Sequence, residues 1–461
     1  MSLSGRLVSG ALLWVACLLP VSAATPVVHE YRLENGLELR VLPDHRAPVV
    51  TSQVWYRVGS ADEPGGSTGL SHALEHMMFK GTQTLPPGAF SRVIAEHGGR
   101  ENAFTSRDYT AYFQTLAPEH LEIAFRLEAD RMRSLKLDAG EFAREIEVIK
   151  EERRLRTEDD PEARLNELFQ ATAFVSNGYH HPVIGWMADL DHMRVEDLRA
   201  WYARHYAPNN AILVVVGDVE PQAVLGLAKK YFGALPSGEL PSRRLRRDTA
   251  QDGERRVVLR APAKLPSLLM GYKVPTLVEA PESWEPYALE VLSGVLDGGE
   301  AARFANRLVR TGLAAGAGAG YDPMAREGGL FILGGTPSEG VEPLKLEQAL
   351  RGEIERLRNE PVDPAELSRV KAQVLAQDIF GRDSNFYQAM RIGIAETVGL
   401  GAASLDAYLA GIEAVTREQV QAVARKYLID DHLTVARLDP LPMDVSARPV
   451  ASAQGGTFHA R

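Results

Sequence analysis

A chain of 461 residues is longer than one ordinary domain and divides most simply into two or more, each able to bury its own core. With 51 Lys and Arg against 61 Asp and Glu, the formal charge is −10, and the lack of a dominant basic stripe excludes a protein that tracks nucleic-acid phosphates. The one cysteine, Cys17, excludes a disulfide framework, so a metal site must draw on His and carboxylate ligands.

The chain opens with a single positive charge, an apolar run over 7–19, and the small-residue sequence Pro20-Val21-Ser22-Ala23-Ala24. This is the pattern of a secretory signal peptide, with cleavage expected after Ala23 and a periplasmic or secreted address. A lipid on Cys17 is the alternative address. Residues 28–43 read as a hairpin turned by Asn35-Gly36, because Leu37, Leu39 and Val41 alternate with polar residues beyond that dipeptide. A further strand over 49–58 leads to the stretch 69–82.

That stretch contains His72-Ala73-Leu74-Glu75-His76. On a helix, His72 and His76 stand one turn apart and leave the same face, while Glu75 lies on its edge, near enough to act on a metal-bound water without ligating. The H-x-x-E-H order is read as zinc-dependent peptide hydrolysis. Taken alone, the pattern also fits a helix that carries two histidines by chance. A third ligand on a second rigid element separates the two readings.

After Pro86-Pro87-Gly88 a helix is expected over 89–97, and the aromatic and Thr-rich 108–116 reads as a strand. Gly98-Gly99 before 100–106 hint at an exposed edge. Helices follow over 121–135 and 139–156, and Asp159-Asp160-Pro161 opens another. In the second of these, Glu145, Ile149 and Glu152 share a face with Val148 beside them, so a carboxylate at each end can be held against the core. Glu147 and Glu151 read as solvated.

A helix over 195–206 and an apolar strand over 211–216 find a second copy in the helix 416–427 and strand 433–436. This weak duplication implies two similar domains. Residues 236–253, with the basic cluster Arg243 to Arg247, have the composition of a solvated linker. Only the first copy carries the chemistry, since 286–295 holds no histidine. The glycine-rich 312–320 lacks a Gly-Lys-Ser/Thr ending and reads as a flexible loop entering a strand.

Taken together, Gly59-Ser60, Gly69, His72 to His76, Phe79-Lys80-Gly81-Thr82, Asn102 to Thr105, Pro182-Val183-Ile184-Gly185 and Tyr206 to Asn210 resemble the pitrilysin/insulinase family of zinc metallopeptidases, the inverzincins, in their bacterial two-domain form. The resemblance covers nearly all of the chain beyond the signal. It implies an α+β fold of two homologous, mitochondrial-processing-peptidase-like (LuxS-like) domains, each a mostly antiparallel sheet covered by helices. Their expected bounds are 24–235 and 254–440, with a flexible tail over 441–461.

The resemblance also implies one Zn2+ per chain, held by His72, His76 and Glu152, with Glu145 supporting a ligand and Glu75 as general base in the hydrolysis of extended or unfolded peptides. Asn102 and Ala103 match the family's substrate-binding edge, and Phe104 a neighbouring pocket. The family completes its site with an Arg and a Tyr from a second-half domain. Here Ala315 stands at the Tyr position, Arg310 is displaced, and Tyr321 fits only by a shift in register. A heterodimer with a sister subunit carrying that pair is therefore expected, with a homodimer as the alternative. A non-catalytic processing or scaffold subunit is the rival reading.

Overall fold

The computed structural model describes residues 27–243, 246–280 and 282–443. The expected signal peptide, Cys17 and most of the expected tail lie outside the described residues. The Asn35-Gly36 turn joins β1 (His29–Arg32) to β2 (Glu38–Pro43) as an antiparallel hairpin. Gly36 is needed there: its φ is +87°, and a Cβ would fall 2.7 Å from Asn209 Cβ.

With β3 (Val50–Tyr56), β4 (Arg100–Thr105), β5 (Thr110–Leu116) and β6 (Ala211–Gly217), the hairpin forms a six-stranded sheet in the order β1-β2-β6-β3-β5-β4. Only the β2–β6 pair is parallel. The apolar run of β6 is buried along its whole length, as a central strand covered on both faces must be. β4 lies on the edge, as its flanking glycines suggest.

The second half repeats this plan. β7 (Arg255–Pro262), β8 (Ser267–Val274), β9 (Ala314–Gly320), β10 (Gly329–Pro337) and β11 (Leu433–Leu441) lie in the order β7-β11-β8-β10-β9, again with one parallel pair, β7–β11. The glycine-rich run expected to be mostly loop is itself the edge strand β9. Its small residues let the backbones approach, since a Cβ on Gly335 of β10 would lie 2.8 Å from the Gly316 carbonyl oxygen.

Five helices of the first half matter for the site: α1 (Leu70–Met77), α2 (Ala89–Glu96), α3 (Leu121–Ser134), α4 (Ala139–Arg153) and α5 (Pro161–Ala173). Asp138 caps α4 by accepting from the Gly140 and Glu141 N–H groups, and Asp160 caps α5 in the same way. The α4 pattern reads as helix to 156. The structure instead widens into a π-helical turn over Arg154–Glu158, directly after Glu152, a distortion that recurs at functional sites. Ala73, Leu74 and Met77 of α1 and Ile146 and Ile149 of α4 pack with Phe125 and Trp201 in one core over the sheet. Full burial of a side chain such as Leu74 contributes about 1.5–3 kcal/mol.

The opposite faces of the two sheets are covered by exchange. α5 sends Leu165, Phe169 and Ala173 onto Ala261, Ala436 and Leu438 of the second sheet. The helix Asn385–Val398 sends Ala389 and Ile392 onto Trp55, Ile212 and Val214 of the first. Glycines admit both helices: a Cβ on Gly271 would lie 2.5 Å from the Phe169 ring, and one on Gly393 would lie 2.0 Å from the Trp55 ring.

Buried ion pairs close the same seam. Arg40 holds both carboxylate oxygens of Glu396 at 2.8 Å. Arg326 reaches Asp62 at 3.0 Å and Asp108 at 3.2 Å. Among the described residues of its cluster, Arg243 alone departs from the reading as solvated, because its guanidinium donates to the Thr397 and Asp108 carbonyls at 3.0 and 2.6 Å, whereas Arg246 and Arg247 are exposed. Where the connecting segment crosses the seam, those carbonyls need donors. Arg244 and Leu245 lie outside the described residues.

Candidate active site

α1 starts at Gly69, whose φ is +89° and whose Cβ, if present, would lie 2.6 Å from the Ile184 carbonyl oxygen. The buried Glu63 carboxyl accepts from the Gly69 and Ser71 N–H groups at 2.7 Å each, fixing the start of the helix. Burial pushes the pKa of Glu63 up to about 8 against the pull of those two donors. Sequence reasoning missed this residue. An acid six positions before a glycine cap was the available signal.

α1 and α4 bring His72, His76 and Glu152 together, with one donor atom from each lying within 4.8 Å of the others. His76 Nε2 stands 3.4 Å and His72 Nε2 3.9 Å from Glu152 Oε2. Ligands around a tetrahedral zinc at about 2.0–2.2 Å stand about 3.3–3.6 Å apart, so the His76–Glu152 spacing matches that ion, the His72–Glu152 spacing is slightly wider, and the donor chemistry fits it. Glu145 Oε1 meets His76 Nδ1 at 2.9 Å and presents Nε2 toward Glu152. Lys80, not assigned a role from the sequence, reaches Glu145 Oε2 at 2.5 Å, and Arg156 reaches Glu152 Oε1 at 2.7 Å.

The charges are coupled accordingly. Burial opposes the imidazolium of His76, but hydrogen bonds to Glu145 and Glu152 outweigh it and raise its pKa to about 9. Burial likewise opposes the Glu152 carboxylate, yet His76, His72 and Arg156 draw it down to about 2. Glu145 is also lowered, by His76 and Lys80 against burial. Glu75 moves the other way. Burial lifts it to about 7, although the Thr105 hydroxyl donates to its Oε2.

Along α4, Ile149 is buried and Glu151 exposed, paired with Arg154 at 2.9 Å. Val148 is 52% exposed, not held against the core beside Glu145 and Glu152 as its spacing implied. The helix turns it just past the packed stripe.

β4 brings the remaining predicted residues beside the cluster of His72, His76 and Glu152. Ala103 faces Tyr112 of β5 and is buried, and its N–H is met by the side-chain oxygen of Asn102 at 2.9 Å. Phe104, packed edge-on against Trp55, lines a cavity of about 530 Å³ together with His72, Glu152, Arg107, Tyr109 and, from the exchanged helix, Met390. The cavity is of the size that holds a peptide side chain.

Two family models match the chain: "Insulinase (Peptidase family M16)" over residues 40–185 and "Peptidase M16 inactive domain" over residues 192–374. The zinc protease PqqE of Helicobacter pylori is 33% identical over 77% of this chain and 80% of its own. An uncharacterized zinc protease of Mycobacterium leprae is 29% identical over 85% and 87%. Among solved structures, a protease from Helicobacter pylori superposes with a TM-score of 0.85 at 30% identity, covering 90% of this chain and all of that one. The first half of the periplasmic protease PqqL of Escherichia coli gives 0.76 at 20% identity, over 89% and 91%, and shows the shared fold.

Proposed function

We propose, from the premise that this chain belongs to the insulinase (M16) family of peptidases, that it is a zinc metalloendopeptidase acting on extended or unfolded peptides. The observation that carries the reading is the convergence of His72, His76 and Glu152 within 4.8 Å, with Glu75 the residue before His76 on the same helix. A zinc ion held by His72, His76 and Glu152 would supply a water of lowered pKa and a Lewis acid for the scissile carbonyl. His76 is kept in place by Glu145, and Glu145 by Lys80. Glu75, on the same helix and steadied by Thr105, takes the proton of the attacking water and returns it to the leaving amine. Asn102 and Ala103 receive the peptide backbone at the β4 edge, where a bound strand replaces the Asn102 oxygen at the Ala103 N–H.

Hydrolysis of an unstructured peptide, abolished by chelation and restored by one zinc per chain, tests this reading. Small esters hydrolysed in place of peptides would overturn it.

The proposal extends to assembly and address. Tyr321 supports the expected departure from the family pattern, since its hydroxyl donates to the Pro275 carbonyl at 2.6 Å and its ring stacks on Phe331. Arg310 pairs with Glu300 at the surface. The chain therefore works beside a sister subunit that supplies the Arg and Tyr, after export with cleavage past Ala23. Sedimentation and assay with and without that subunit decide the first point, and N-terminal sequencing of fractionated protein the second. Full activity from a homodimer would overturn the heterodimer.

A further inference from the structure

Most of the charges on the wall of the catalytic cavity are already neutralised. Glu152 is met by Arg156, Glu167 is held in two hydrogen bonds by Arg153 at 2.8 and 2.9 Å, and Asp108 accepts from Tyr179 at 2.5 Å and lies 3.2 Å from Arg326. Of the carboxylates and guanidinium groups that line it, Asp322 and Arg107 are left. Asp322 accepts the Met324 N–H at 2.9 Å, and burial lifts its pKa toward the neutral form. Arg107 has no carboxylate within ion-pair distance and no side-chain hydrogen bond among the described residues. Its one contact of note is with the Tyr179 ring, 5.2 Å from the guanidinium carbon.

The backbone that carries Arg107 is fixed. Ala61 N–H donates to the Arg107 carbonyl at 2.9 Å, Ser60 N–H to the Ser106 carbonyl at 3.1 Å, and Ser106 N–H to the Tyr109 carbonyl at 2.8 Å. Gly59 lets this turn press close, since a Cβ there would lie 2.5 Å from the Arg107 carbonyl oxygen. The turn follows Thr105, which touches Glu75, so the backbone that carries Arg107 is held next to the catalytic carboxylate. Burial draws its pKa below the ordinary guanidinium value while leaving it charged at neutral pH. A half-buried cation that feels Asp108 and Asp322 only at longer range, with no carboxylate at ion-pair distance among the described residues, lies in a cavity beside the catalytic residues and is arranged to receive a carboxylate.

We infer that Arg107 is a specificity residue that reads a carboxylate of the bound peptide, so that the enzyme favours an acidic residue, or the peptide's own C-terminus, near the scissile bond. The inference rests on the peptidase reading and names its substrate class. A charge-assisted hydrogen bond in a half-buried site separates a carboxylate from its neutral amide by about tenfold to a hundredfold in affinity.

The test uses the full chain carrying Glu75→Gln, loaded with zinc, and labelled extended peptides. These are identical except for Glu, Gln or Lys scanned through each position and a C-terminus left free or amidated. At one scanned position Glu should bind at least tenfold tighter than Gln, and Lys weakest. If freeing the C-terminus gives the gain instead, the carboxylate is the peptide end. Adding Arg107→Gln should bring the ratio within twofold, Arg107→Lys should keep part of it, and Arg107→Glu should reverse the order toward Lys. Thermal melting checks that each variant folds. Equal binding of Glu and Gln at every position with both termini, binding of no peptide, or a preference that survives Arg107→Gln would overturn the inference. Cleavage of a neutral peptide by the wild-type chain is scored separately. Hydrolysis without acid preference leaves the peptidase reading standing and removes this one, whereas acid-selective binding without hydrolysis does the reverse.

Discussion

Apart from the extra edge strand β1 of the first sheet, the two halves share one strand order, and their chemistry parts company at one pair of helices. In the first, α1 and α4 meet across the His76–Glu145 contact and hold three potential metal ligands. In the second, the helix Glu285–Asp297 occupies the place of α1, between the strands equivalent to β3 and β4, and carries no histidine. The helix Pro364–Gly381 occupies the place of α4, and both begin at an aspartate cap, Asp138 and Asp363. Counted from those caps, Val370 stands where Glu145 is and Gln377 where Glu152 is.

Gly294 completes the difference. A Cβ on it would lie 2.5 Å from a Val370 methyl, so the second pair is closed by apolar contact. A polar pocket and a dry helix contact are alternative solutions to the same backbone problem. The polar one is tolerated because His76, Glu145 and Glu152 are paired with one another and with Lys80 and Arg156.

The largest effect that sharpens the comparison is expected from Glu75→Gln. It should lower kcat on a peptide by about 10²–10⁴ with zinc content unchanged, read by turnover and metal analysis. Glu152→Gln, which installs the residue of the second half, should lose zinc itself. Retained stoichiometry would assign the third ligand to Glu151.

Next comes the seam that unites the halves. Arg40→Met leaves the buried Glu396 carboxylate without its guanidinium and should cost about 3–5 kcal/mol in chemical denaturation, whereas Arg40→Met with Glu396→Leu should recover most of it. Glu145→Val, the other second-half residue, frees His76 Nδ1 and should weaken zinc binding by about 10–100-fold in competition with a chelator.

A smaller and symmetric loss is expected at the exchanged helices. Gly271→Ala and Gly393→Ala each force an aromatic ring aside, at a cost of about 1–3 kcal/mol in thermal or denaturant unfolding. Unequal losses would show that one exchanged helix bears more of the seam.

The gentlest test is pH. In the metal-free chain His76 has a folded pKa of about 9, above its unfolded value. The stability it contributes is therefore complete below about pH 6.5 and lost as pH rises toward 9. Zinc must displace that proton, so apparent zinc affinity should climb with pH across the same window, with proton release measurable by calorimetry in buffers of different ionisation heat. A flat profile would mean that His76 is already neutral.

Features set by neighbours along the chain were legible without coordinates. The four-residue spacing of His72 and His76, the face shared by Glu145 and Glu152, the Asn35-Gly36 turn, the apolar β6 and the repeat of helix and strand all follow from the geometry of single elements, whose periods are written in consecutive residues. Tertiary structure alone decided what meets across the chain. It seated Lys80 on Glu145, Thr105 on Glu75 and Glu63 at the start of α1. It anchored Arg243 in a seam where composition suggested a solvated side chain, and it turned Val148 outward. It also exchanged α5 and the helix Asn385–Val398 between the sheets, so that the second face of each sheet is covered by a helix from the other half. Such contacts join residues far apart in sequence, and their energies come from burial and pairing in three dimensions, for which no local period exists.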